Sequence, residues 1–142
     1  MKTMRIEGGD LVPGPGGFET ITGPAMVAQD LRGALLEPLG NDRFHPGYGS
    51  TIDTFIGQPQ TEEVLFEVEQ EVVRVTDNYA AVQDDFLRRS AWDNRPARSS
   101  DEIFARVGEI IFDPTPTRLG VNITIQTIDG STVAVDAQTG AS

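Results

Sequence analysis

The sequence predicts an α+β fold in which helices, one of them long and central, pack with a small antiparallel sheet ending in a C-terminal β-hairpin. Three observations predict it. From Thr61 to Arg89 neither glycine nor proline interrupts a helical apolar stripe. From Leu119 to Val135 apolar and polar residues alternate as in a half-buried strand pair. Before and between these stretches, clusters of glycine and proline mark the stops.

Residues 1–17 carry Gly8, Gly9, Pro13, Gly14, Pro15, Gly16 and Gly17, so they read as an N-terminal arm that orders only where something holds it. A partner is the expected holder. The remainder, 18–142, reads as one domain. Phe18 to Ile21 suits a short strand. Gly23-Pro24 then starts a helix, with proline at the first helical position. Val27, Leu31, Ala34 and Leu35 follow at helical spacing until Pro38, which gives a helix of about 13 residues. Pro38 to Ser50 is a rigid connector between this helix and the next.

In the long helix, Leu65, Val68, Val72, Val75, Tyr79, Val82 and Phe86 fall at alternating steps of three and four. That is an a/d stripe. A helix of about 28 residues runs about 42 Å at 1.5 Å per residue, more than a compact domain of this size spans. The stripe therefore packs on the chain's own elements, or part of it meets another subunit. Trp92 to Pro96 breaks the pattern. Ser99 and Glu102 form a capping box for a third helix, with Ile103, Phe104, Val107, Ile110 and Ile111 as its apolar face. Asp113-Pro114-Thr115-Pro116 ends it.

The C-terminal register can be argued from the apolar residues. A two-residue Asp129-Gly130 loop would place Val133 and Val135 on the wrong face. A three-residue loop, Ile128 to Gly130, pairs Ile125 with Val133 and puts Gly130 at the left-handed position of a bulge. The second register keeps the apolar residues together. Such a hairpin needs another strand or a helix beneath it.

A net charge of −11 repels phosphate backbones and anionic membrane surfaces, so neither nucleic acid nor membrane is an expected partner. Arg88, Arg89, Arg95 and Arg98 read as solvated arginines around a loop, with a docking patch for an acidic partner as the alternative. The absence of cysteine excludes disulfides and thiolate metal sites, and suits a chain kept in a reducing cytoplasm. The N-terminus has no apolar signal region.

Catalytic signals are weak. The single histidine, His45, has Ser50 and Asp53 nearby, but the serine is not in a nucleophile elbow. One histidine without cysteine makes no metal site of the common kinds. Glu62, Glu63, Glu67, Glu69 and Glu71 crowd the long helix and mark a solvated face. Gly14-Pro15-Gly16-Gly17 lacks the lysine of a phosphate loop. No catalytic residue, metal site or cofactor is expected.

The segment Pro38 to Ile52, with Pro38, Gly40, Pro46 and Tyr48-Gly49-Ser50, resembles the signature of the gene-product-twenty-five-like baseplate-wedge, or sheath-initiator, family of contractile tails. Gly23 to Leu36, with Gln29-Asp30, resembles that family's first helix, and the order of elements agrees over about two thirds of the chain. One departure is visible. Where the family has glutamate-proline-arginine between its last helix and the hairpin, this chain offers Asp113-Pro114-Thr115, with Arg118 three residues on.

The resemblance implies a structural, non-enzymatic subunit of the virion tail baseplate, assembled in the host cytoplasm. It would surround the tube and template the first sheath ring. Its implied partners are the tail sheath protein, other wedge subunits, and the tail tube or hub. Strand exchange through the hairpin would use Val121, Ile123, Ile125, Thr127, Val133 and Val135, because a hairpin's outer edge has unpaired backbone groups. Wedge contacts would fall on Asp113, Pro114, Arg118, Leu65, Val72, Tyr79 and Phe86. The family has also carried a lysozyme label, so the alternative is a small tail-associated peptidoglycan hydrolase using an acid such as Glu102 or Glu109.

Overall fold

Helix α1 (Pro24–Leu36) starts where glycine and proline place it and has the expected 13 residues. Gly23 takes φ 73°, which glycine tolerates without strain, and its N–H donates to Glu102 Oε2 at 3.0 Å. Met26, Val27, Leu31 and Leu35 are at most 2% exposed. The computed structural model describes residues 3–7, 10–56, 58–59, 61–93, 98–114 and 118–140, with backbone alone at 90–93, 114, 118, 139 and 140.

A short 3-10 turn (Ile52–Phe55) leads to α2 (Glu62–Asp93), whose 32 residues span roughly 48 Å. Thr61 caps it, its hydroxyl accepting the Val64 N–H at 3.2 Å. Val68, Val72 and Val75 are buried, as the stripe requires. Further along, burial advances with the 3.6-residue helical period and leaves the heptad seam behind. Thr76 and Gln83 turn inward, while Val82 is 61% exposed. The middle of the stripe thus serves this chain's own core, against α1 and the sheet.

The third helix does not form. Ser99 and Glu102 do make the capping box, but it closes one 3-10 turn (Ser100–Glu102) and the chain is extended from Ile103. Phe104 to Pro114 is a strand. Its register against the next strand (Arg118–Thr127) runs Phe104↔Thr127, Val107↔Ile125 and Ile110↔Ile123. Three residues on one side answer two on the other, twice. Each irregularity adds a residue, so inward side chains recur every third position and imitate a helical face.

Among the described residues six two-residue strands precede α1: β1 (Thr3–Met4), β2 (Ile6–Glu7), β3 (Asp10–Leu11), β4 (Pro13–Gly14), β5 (Gly17–Phe18) and β6 (Thr20–Ile21). They pair as β1–β6, β2–β3 and β4–β5. Backbone bonds among Arg5, Val12 and Glu19 tie the three pairs at their centre. The Gln29 amide on α1 accepts from Ile6 N–H and donates to Met4 O, both at 2.9 Å. The described residues of the arm are therefore paired with one another and tied to α1 within this chain, where the sequence points to a partner.

With those six counted, the extended strand above is β7 (Phe104–Pro114), followed by β8 (Arg118–Thr127) and β9 (Thr132–Gly140). The sheet is antiparallel in the order β7-β8-β9. Leu119, Val121, Ile123 and Ile125 of β8 and Val135 and Ala137 of β9 share one buried cluster with α1 and α2. The opposite face carries Asn122, Thr132, Ala134, Asp136 and Gln138, all exposed. Both helices cover the apolar face alone.

Candidate functional site

The hairpin has the register derived from its apolar residues. Ile125 pairs with Val133, the loop is Ile128 to Gly130, and Gly130 takes φ 92°. Asp129 locks the turn by accepting from the Thr127 hydroxyl at 2.6 Å and from the Ser131 N–H at 3.0 Å; these bonds lower its pKa.

The expected docking residues separate in the structure. β8 is the central strand, so an edge at Val121, Ile123, Ile125 and Thr127 does not exist; these side chains are at most 1% exposed. Val133 and Val135 belong to β9, which has an outer side. Thr127 N–H donates to Ser131 O, which fixes the alternation along the pair. Val133, Val135 and Ala137 face β8 with their backbone groups, whereas Thr132, Ala134, Asp136 and Gln138 point theirs outward. Among the described residues one group caps this row: Arg32 Nε of α1 donates to Asp136 O at 2.8 Å. Beside it lies a cleft of about 600 Å3 lined by Gly33, Leu36, Tyr48 and Gln138 among others.

The signature segment is a stapled loop. Pro38 and Ser50 form an isolated parallel bridge, with Ser50 N–H donating to Glu37 O at 2.7 Å and Leu39 N–H to Ser50 O at 3.0 Å. The buried Ser50 hydroxyl donates to Leu35 O at the end of α1. Gly49 has φ 107°, and a Cβ there would lie 2.5 Å from Glu37 O. Gly40 also has positive φ, 84°, while Pro46 and Tyr48 are exposed. Two α2 residues clamp the returning chain: Arg74 donates to Gly49 O at 2.8 Å and Glu71 accepts the Thr51 N–H at 3.2 Å. Burial would raise the Glu71 carboxyl, but Arg74 and Thr51 bring it down. Sequence reasoning placed Glu71 on the solvated face; its spacing to Arg74, beside Val72 and Val75, was the available signal.

In the middle of α2, Tyr79 donates to Asp30 Oδ2 at 3.1 Å, and Arg98 reaches Tyr79 Oη at 3.0 Å and Asp30 at 3.4 Å. Burial and the adjoining Asp30 charge push the Tyr79 hydroxyl up to about 12. Burial also raises Asp30, against the pull of Arg98 and Tyr79. Arg98 lies over the Phe86 ring, 5.5 Å from its centroid. The expected wedge residues are thus largely internal. Val72 is fully buried, Tyr79 packs edge-on against Phe104, and Leu65 and Phe86 are half-buried. Asp113 and Pro114 lie inside β7, paired with Gly120 and Leu119, and Arg118 opens β8. Among the described residues α2 is the last α-helix, so the interval between helix and sheet is 94–103, and of its two arginines Arg98 is the one described. Thr115 and Arg95 lie outside the described residues. Arg88 and Arg89 pair with Asp84 and Asp85 one turn earlier, and so form no patch with Arg98.

The catalytic candidates are not assembled. His45 Nδ1 lies 3.1 Å from Asp42 Oδ2 on an exposed loop, and Ser50 is committed to Leu35 O. Asp42 is lowered first by the Phe44 N–H and then by His45. Glu102 is 1% exposed. Burial would raise its carboxyl, but hydrogen bonds, those from the Gly23 and Ser99 N–H groups largest among them, bring it to about 2. A general acid needs the opposite shift. Glu109 is an exposed residue of β7.

No protein-family model and no curated protein matches the chain. A solved structure from Geobacter sulfurreducens, provisionally named a tail lysozyme, matches over 82% of this chain and 88% of its own. The TM-score is 0.54 at 14% sequence identity, so the two share a fold.

Proposed function

We propose that this chain is a structural baseplate subunit of a contractile tail, surrounding the tube and templating the first sheath ring. The observation that carries the reading is the open outer edge of β9, in a fold shared with a protein named for a tail. Outward N–H and C=O groups at Thr132, Ala134, Asp136 and Gln138 suit the addition of an extended arm from a neighbouring subunit. The sheath protein is the proposed donor, with other wedge subunits, tube or hub as further contacts. β7 is a poorer acceptor, since its two irregularities spoil a regular ladder.

Ala134→Pro tests this directly. The substitution removes an outward N–H without touching the bonds to β8. Sheath polymerisation seeded by the wild-type chain on purified tubes should fail with the variant while its fold persists. Equal seeding by both would overturn the reading. The name of the structural neighbour favours a peptidoglycan hydrolase as the second reading. A zymogram that clears, and loses its clearing in Glu109→Gln, would establish that one instead.

A further inference from the structure

We propose that Arg32 is a latch on the β9 edge, and that it selects extended segments bearing a carboxylate on the side facing α1. The inference rests on the strand-docking reading above and names the chemistry of the strand. Arg32 Nε occupies Asp136 O, the acceptor that an arriving strand's N–H must take. Addition at this position therefore sets the arriving N–H in competition with the guanidinium. Among the described residues no ion pair joins Arg32 to a carboxylate, although the chain is strongly acidic. Once displaced, it is a cation beside the new strand with its donors unfilled, and a bidentate carboxylate is the group that fills them best.

The pleat decides where that carboxylate sits. The arriving residue opposite Asp136 shares Asp136's exposed face, where an acid would be repelled. Its two neighbours point to the other face, towards α1 and Arg32. Two residues further along that face the lining includes small and apolar groups. Ala25, Ala28 and Val133 lie on one side, in a cleft that also holds Arg5 and Glu7, and Gly33 and Leu36 on the other, in a cleft that also holds Glu37. The fitting segment is apolar–x–acid–x–apolar, where the x beside Asp136 is basic or neutral.

The probe is a pair of capped nine-residue peptides of alternating valine and threonine, identical except for glutamate or lysine at the central α1-facing position. Binding is read from amide exchange of Ala134 and Asp136 in the full chain, for wild type and for Arg32→Met, which keeps length and helix propensity. The glutamate peptide should protect these amides about tenfold more tightly than the lysine peptide in the wild type, one charge-assisted contact's worth. The ratio should fall to about one in Arg32→Met. Arg32→Lys, which keeps the charge, should retain a preference even if the methionine variant folds poorly. Equal protection by both peptides in the wild type would overturn selection by Arg32 and leave the docking edge standing. Protection by neither peptide, in any variant, would overturn the docking edge itself.

Discussion

The side-chain amide of Gln83 stands where a neighbouring strand would be. Its Nε2 donates to Phe104 O at 3.0 Å, and its Oε1 accepts the Phe104 N–H at 2.8 Å. One buried helical residue thereby satisfies both backbone groups at the start of β7.

Gln83→Leu should leave those two groups buried and unpaired. The expected loss is about 2–4 kcal/mol in urea unfolding, since each orphaned group costs about 1–3 kcal/mol. A loss below about 0.5 kcal/mol would mean that water replaces the amide.

Glu102 makes the fold sensitive to acid. Its folded pKa of about 2 lies below the ordinary 4.5, so its contribution is present above that ordinary value and is lost as pH falls from 4.5 towards 2. Glu102→Gln should lower stability at neutral pH by roughly 2–3 kcal/mol and flatten the acid limb of the stability profile. An acid limb of unchanged slope would place the sensitivity on other carboxyls.

Gly49 and Gly47 should answer alanine differently. At Gly49 the φ of 107° and the 2.5 Å approach to Glu37 O leave no room, so Gly49→Ala is expected to destabilise by about 2–4 kcal/mol. At Gly47 nothing lies within 4 Å of the added carbon. Gly47→Ala should fall within about 0.5 kcal/mol of wild type in the same thermal melts.

Asp30 and Arg98 should be coupled. Arg98 is 13% exposed, and its Nε has no hydrogen-bond partner among the described residues. Asp30→Ala strands that charge and should remove about 3 kcal/mol. Adding Arg98→Met should restore part of the loss, as a double-mutant cycle would measure. Strictly additive losses would show that the two act separately.

The hairpin was legible because its side chains report a single period and Gly130 admits one turn geometry. The start and length of α1 were legible from Pro24 and Pro38. β7 was not, since two extra residues in the strand convert a step of two into a step of three at Phe104, Val107 and Ile110. The stripe of α2 was legible to Tyr79 and failed at Val82, where a straight helix has already turned away from the heptad line. Of the expected edge residues, Val133 and Val135 fall on the outer strand β9 and the other four on the central strand, while Arg32 was invisible. Its bond to Asp136 joins residues 104 apart in sequence, and neither local spacing nor periodicity encodes it.

The two irregularities in β7 have a geometric consequence for anything larger built on this sheet. β7 is interrupted twice and held at Phe104 by Gln83, whereas β9 keeps an unbroken register with β8, so a sheet extended from this chain would grow from the β9 side. A ring or stack nucleated here would inherit a head and a tail, and growth could not begin from both ends.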